Sequence, residues 1–299
     1  MIARRMVIAG AAVALLGGGV PARAQAQAAD SSGGKPSLFE GSDLYWAAGF
    51  AAATLAVAPL DRQLAHTLQR PSLQANRILS KSSVGARLLG SPGAEVLGGL
   101  VYGAGRLSGN RDMAQVGLHT AEAVFIGDLI TGSVKVVAGR KRPYLSPDNP
   151  YNFQLMRGLK GDSVRSFPSG HTTSAFAAAA AATAEAGYQW KAGKPVVGPV
   201  LFGLAGIVGV SRMYNNAHWA SDVAVGAAIG TFVGWKVTRY AHDHPTNSVD
   251  NFFLGRPKDG DEGATGGTAS GSRSGSSSHH RSRTLLGGGI PITFSIPVP

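Results

Sequence analysis

What most constrains this chain is a pattern of small residues. From residue 42 onward it alternates segments rich in Ala, Gly, Leu and Val with Pro and Gly breaks, and alternating β-branched runs are nearly missing until the last few positions. A half-buried strand needs apolar residues with a period of two, and an amphipathic helix needs a period of 3.6. The first is missing, so the expected fold is all-α. Helices are expected at Ser42–Ala58, Asp61–Gln69, Gly93–Gly105, Asp112–Gly139, His171–Ala186, Pro195–Val210 and Trp219–Tyr240, several of them bounded by a following Pro or Gly. In the fourth, Leu118, Phe125, Leu129 and Val136 recur at intervals of seven, four and seven, which places them on one helical face.

The flanks read differently. Arg4 and Arg5 precede an apolar run from Met6 to Val20, then Pro21 and a small-residue stretch. This is the layout of a secretory signal peptide with cleavage after Ala26, the alternative being an anchor that stays uncleaved. Residues 27–41 read as a polar linker, 42–254 as the folded helical domain, 255–285 as a disordered low-complexity segment and 286–299 as an apolar tail. The chain has no cysteine, so nothing rests on disulfides. Its formal charge of +11 suits anionic partners such as phosphate esters or anionic lipid head groups. Export argues against nucleic acid.

Membrane crossing is weighed by length. Leu44–Leu60 runs 17 residues without a charge and Val196–Val210 runs 15, against the roughly 20 apolar residues a span needs. With a mean hydropathy of +0.05, the sequence alone favours an exported, periplasmic or cell-envelope protein, with an integral membrane protein as the alternative.

Three clusters carry possible chemistry. Lys135 and Arg142 stand seven residues apart, close to two helical turns, with Pro143 next. Pro168-Ser169-Gly170-His171 leads into an alanine-rich helix whose first N–H groups could receive an anion. Arg212 precedes His218 and Asp222, which are four apart and therefore neighbours on a helix surface. There Asp222 could accept from Nδ1–H of His218 and leave Nε2 free. Each cluster also has a plain structural reading: a basic helix end, a serine N-cap, a surface ion pair. Together they supply three cations, an anion-binding turn and two imidazoles, the set that phosphoryl transfer by a histidine nucleophile requires.

Lys135 with Arg142-Pro143, then Pro168-Ser169-Gly170-His171, then Ser211-Arg212 with His218 and Asp222, resemble the three-part signature of the type 2 phosphatidic acid phosphatase and vanadium haloperoxidase superfamily. The resemblance implies a helical bundle and a metal-independent phosphatase acting on phosphate monoesters or on lipid phosphates and diphosphates. It implies that His218 attacks phosphorus, Asp222 orients it, and His171 protonates the leaving oxygen and then activates water. Lys135, Arg142, Ser169, Gly170 and Arg212 would hold the phosphate oxygens. No cofactor is implied, except vanadate under the alternative that the same site serves a haloperoxidase; the modest size of the catalytic region favours the phosphatase. A non-catalytic envelope scaffold has no need of both histidines.

Other candidates carry less. His242-Asp243-His244 looks like a metal clip, but consecutive side chains diverge, so no metal site is expected there. His66 and His119 are expected to be satisfied core or surface groups. Arg157, Lys160 and Arg165 could steer an anion toward the Pro-Ser-Gly turn or simply face solvent.

Overall fold

The computed structural model describes residues 38–255, and the expected signal peptide, most of the linker, the low-complexity segment and the apolar tail lie outside them. The described residues form ten α-helices joined by short turns and contain no strand. They are α1 (Gly41–Val57), α2 (Asp61–Leu68), α3 (Pro71–Gln74), α4 (Arg77–Gly90), α5 (Gly93–Ser108), α6 (Arg111–Ala138), α7 (Gly170–Gln189), α8 (Lys194–Tyr214), α9 (Ala220–Asp243) and α10 (Ser248–Leu254). The seven expected helices are present, with ends shifted by a few residues.

Three helices had no sequence expectation. The largest, α4, has a serine- and glycine-interrupted sequence, RILSKSSVGARLLG. Its start was signalled only by Asn76, whose side chain accepts from the amides of Ile78 and Leu79.

Helix α7 is the centre of the bundle and packs against α6, α8 and α9. Its alanines allow the neighbours to come close, and α9 meets it with a glycine stripe. A Cβ at Gly226, Gly230 or Gly234 would stand 2.5, 2.3 or 2.4 Å from the carbonyl oxygens of Ser169, Thr173 and Ala177. Only a bare Cα fits at that spacing, the packing mode of small-xxx-small helix pairs. Phe176, Val208, Val223 and Ala227 fill the core between α7, α8 and α9.

The pattern on α6 is inverted relative to a water-soluble helix. Its buried face is small or polar, including Ala114, Gly117, Thr120, Ala123, Gly127 and Thr131. Phe125 and Leu129, aligned by their spacing, are instead 70% and 62% exposed. Of the four aligned residues, Leu118 is buried with Ala114 and Leu254, Val136 is half-buried, and Phe125 and Leu129 point outward.

The C-termini of α6 and α8 and the N-termini of α7 and α9 meet at one end of the bundle. There α6 stops at Gly139, whose φ of +52° and close approach to the carbonyl of Gln154 both require glycine. The segment 140–169 then folds back over the helix ends through three 3₁₀ turns.

Candidate active site

This end gathers the predicted residues. Lys135, in the last turn of α6, donates through Nζ to the carbonyls of Arg165 (2.9 Å) and Pro168 (2.5 Å). An ammonium has three protons, so one remains for a ligand. Gly170 faces it, since a Cβ there would lie 3.6 Å from Cε of Lys135. Ser169 is fully buried at the start of α7; its amide donates to the carbonyl of Asp222 at 3.0 Å, and its hydroxyl pairs with that of Thr172 at 2.8 Å.

Arg142 donates through Nε to the carbonyl of Asp162 at 2.9 Å and through one terminal nitrogen to Oδ1 of Asp162 at 2.7 Å. Its other terminal nitrogen donates to the carbonyl of Ala217 at 3.0 Å and lies 3.5 Å from Nε2 of His218. Arg212 is different. It is buried in the last turn of α8, yet Nε and one terminal nitrogen are sequestered from solvent without a hydrogen-bond partner. A buried guanidinium left in that state costs free energy unless an anion completes it.

His218 sits in the turn between α8 and α9. Nδ1 lies 2.6 Å from the carbonyl oxygen of Ser166. A carbonyl only accepts, so Nδ1 carries the proton and Nε2 presents a lone pair. Burial, reinforced by the Lys135 ammonium and the Arg142 guanidinium, pushes the imidazole down to about 3, so the ring is neutral near pH 7.

The expectation that Asp222 accepts this proton needs correction. Its nearer oxygen is 3.7 Å from Nδ1. Asp222 is instead the hub of the surrounding turn: Oδ2 accepts from the Ser166 hydroxyl (2.5 Å) and the Trp219 amide (2.9 Å), and Oδ1 from Arg140 (2.5 Å). The carboxylate therefore holds the residue whose carbonyl holds His218.

Burial of His171, in the first turn of α7, together with the positive charges of Arg212, Arg87, Lys135 and Arg142, pushes its imidazole down to about 4, so this ring too is neutral near pH 7 before an anion binds.

Sequence reasoning missed Arg140, Asp61, Ser166 and Arg87. Arg140 is buried and also donates to Asp61 (2.7 Å), Ser221 (2.8 Å) and the carbonyl of Pro150 (2.8 Å), with Phe153 and Trp219 against its plane. It stood in the same basic run as Arg142, but only the fold reveals which arginine is spent on structure. Asp61 is separated from Ser221 by 160 positions, and Arg87 lies on the unforeseen helix α4. Arg157 is also structural: its guanidinium donates to Gly139 and Asn152 and is not free to steer an anion.

A sequence profile described as the PAP2 superfamily matches residues 117–245, from the middle of α6 to just past α9. These residues carry every predicted site residue. Among relatives, lipid A 1-phosphatase of Porphyromonas gingivalis is 42% identical over 84 residues, which is 28% of this chain and 18% of that protein. Lipid phosphate phosphatase 1 of Arabidopsis thaliana is 33% identical over 144 residues, 41% of this chain and 43% of that protein. The chain thus spans less than half the length of either. The crystal structure of a transmembrane PAP2 type phosphatidylglycerolphosphate phosphatase from Bacillus subtilis superposes with a TM-score of 0.50 at 22% identity, covering 69% of this chain and 95% of that one. That likeness supports a shared PAP2 fold.

Proposed function

We propose that this PAP2 protein is a membrane-embedded phosphatase that hydrolyses lipid phosphates through a phosphohistidine on His218. The observation that carries the reading is at the bundle end: a neutral imidazole whose Nε2 keeps its lone pair, 3.5 Å from Arg142, and the buried, incompletely partnered guanidinium of Arg212 six residues before it.

In the first step the Nε2 lone pair of His218 forms the N–P bond as the P–O bond to the leaving group breaks. A bound phosphate offsets the cations that keep His171 neutral, and the ring, protonated once the anion is in place, gives that proton to the departing oxygen. Nδ1–H remains on the Ser166 carbonyl and stabilises the ring as it becomes positive. In the second step His171 takes a proton from water, the resulting oxygen attacks phosphorus, and the N–P bond breaks to release phosphate and neutral His218. Lys135, Arg142, Arg212, the Ser169 hydroxyl and the Gly170 amide hold the remaining phosphoryl oxygens as charge shifts among them. Three fixed cations carry the neutralisation, and the reading calls for no metal in the reaction.

Lipid as the substrate class rests on the outer surface. Leu44, Tyr45 and Leu55 on α1, Phe125 and Leu129 on α6, and Val196, Val200 and Ile207 on α8 are all more than half exposed. Large apolar patches of this kind mark a nonaqueous neighbour. Two helical stretches, Gly41–Leu68 and Lys194–Tyr214, are also long and apolar enough to span a bilayer. The first buries only 6% of its apolar window within the protein, so packing does not account for its composition. This favours the membrane alternative over a soluble exported domain, and it gives a lipid phosphate a direct route to the site. The relatives from Porphyromonas gingivalis and Arabidopsis thaliana are both named as lipid phosphatases as well.

The test is phosphate release from phosphatidic acid in detergent micelles, with EDTA, orthovanadate and His218→Ala in parallel, alongside a carbonate wash of membranes. EDTA-resistant, vanadate-inhibited release that His218→Ala lacks, from protein retained in the washed membranes, is the expected result. Halide oxidation after vanadate loading, with no phosphate release, would favour the haloperoxidase chemistry of the same site.

A further inference from the structure

A second cluster of ligating side chains lies far from His218. On α6, His119 and Lys135 are sixteen residues apart, about 24 Å of helix, so His119 belongs to the opposite end of the bundle. There it meets Glu185 near the end of α7 and His242 near the end of α9. Nδ1 of His119 is 2.5 Å from Oε1 of Glu185, and Nε2 of His242 is 3.1 Å from each Glu185 oxygen. One donor atom from each of the three lies within 4.8 Å of the other two.

We propose that His119, Glu185 and His242 bind a divalent transition-metal cation of the zinc type, at a site separate from the phosphatase centre. Two imidazoles and a carboxylate are a donor set zinc accepts, with water in the fourth position. Tetrahedral bonds of about 2.0–2.1 Å space the donors by roughly 3.3–3.4 Å. The present separations of 2.5 and 3.1 Å therefore need only a small opening.

The surroundings supply what such ligands require. The other ring nitrogen of His119 lies 3.2 Å from Oδ1 of Asp250 on α10, the carboxylate–histidine contact that fixes a ligating ring and raises its basicity. Gln189 donates to Oε2 of Glu185 at 2.9 Å, and the Tyr188 ring stacks on His242 at 3.7 Å. On the Asp250 side, Oε1 of Glu122 is buried without a hydrogen-bond partner. Three carboxylates thus share this end with two imidazoles, and a divalent cation would take the place of the ring proton that His119 now directs at Glu185. The His242 side chain is 20% exposed, which gives an ion a way in. The sequence set His242 beside Asp243 and His244, where no metal site is expected, whereas the fold pairs it with Glu185 and His119. The ion would tie α6, α7 and α9 together and, through Asp250, hold α10 against them.

The test uses the full chain without an affinity tag and with His279 and His280 changed to Ala, so that tail imidazoles cannot bind metal. After chelator treatment it is loaded with Zn²⁺, desalted and assayed for metal content and Tm, and the zinc environment is read by X-ray absorption. The expected result is about one retained equivalent with two imidazole ligands and a Tm rise of roughly 5–10 °C at a hundredfold excess over Kd. His242→Ala should lose the equivalent and the Tm response while phosphate release at the other end persists. No stoichiometric zinc in the parent, an absorption spectrum without imidazole ligands, or undiminished binding by His242→Ala would each overturn the site. The spectrum decides even where the variant fails to fold.

Discussion

His218 is held through Nδ1 by the carbonyl oxygen of Ser166 at 2.6 Å, while the nearer oxygen of Asp222 stands 3.7 Å away. The group that holds this ring is thus a backbone carbonyl, and Asp222 acts one contact further out by accepting from Ser166, Trp219 and Arg140. This arrangement separates two roles that a direct histidine–aspartate pair would merge.

Asp222→Asn therefore lowers stability as well as turnover. It leaves the buried Arg140 short of a counter-charge, and breaking a buried pair costs about 3–5 kcal/mol. Thermal unfolding in detergent should show a clear drop in Tm alongside the loss of phosphate release. Lost activity at an unchanged Tm would return Asp222 to a purely orienting role.

Arg212 predicts the opposite combination. Its buried nitrogens are incompletely partnered in the protein, so Arg212→Met should leave Tm unchanged or raise it while lowering kcat by roughly 10²–10³. The paired readout is Tm and phosphate release on the same preparation. A large destabilisation would show that the guanidinium serves the fold.

The pH dependence of stability follows from His218. Its folded value of about 3 is below the ordinary value of 6.5, so the unfolded chain takes up this proton first as pH falls. The contribution of the neutral ring is complete above about pH 6.5 and is lost progressively from there toward pH 3. Wild-type Tm should accordingly fall more steeply over that window than the Tm of His218→Gln. Parallel curves would contradict the buried neutral ring.

The glycine stripe makes a packing prediction. A Cβ at Gly230 would meet the Thr173 carbonyl at 2.3 Å, whereas one at Gly132 meets nothing within 4 Å. Gly230→Ala should destabilise by about 1–3 kcal/mol, and Gly132→Ala should be neutral or stabilising by roughly 0.4–1 kcal/mol. Equal Tm values for the two variants would argue against close α7–α9 contact.

Much of this was legible in the residues. Proline and glycine breaks marked most helix ends, and the fold brings the three clusters to one end of the bundle. What stayed hidden depends on long-range contact. The Asp61–Ser221 link joins groups far apart in sequence, and nothing local distinguishes Arg140, bonded to Asp61 and Asp222, from Arg142, which reaches His218. The direction of the Phe125 and Leu129 face was also hidden, because periodicity marks a face without saying whether protein or lipid covers it. His119 looked like an ordinary core histidine because Glu185 and His242 come from other helices.

The central claim is that His218 becomes covalently phosphorylated, and trapping that species tests it most directly. The protein is mixed with ³²P-labelled phosphatidic acid, quenched in alkali within the first turnover and digested for peptide mapping. The account predicts base-stable, acid-labile label on the peptide containing His218, absent from His218→Ala. Phosphate released by folded wild-type protein with no label on that peptide at any quench time would contradict it.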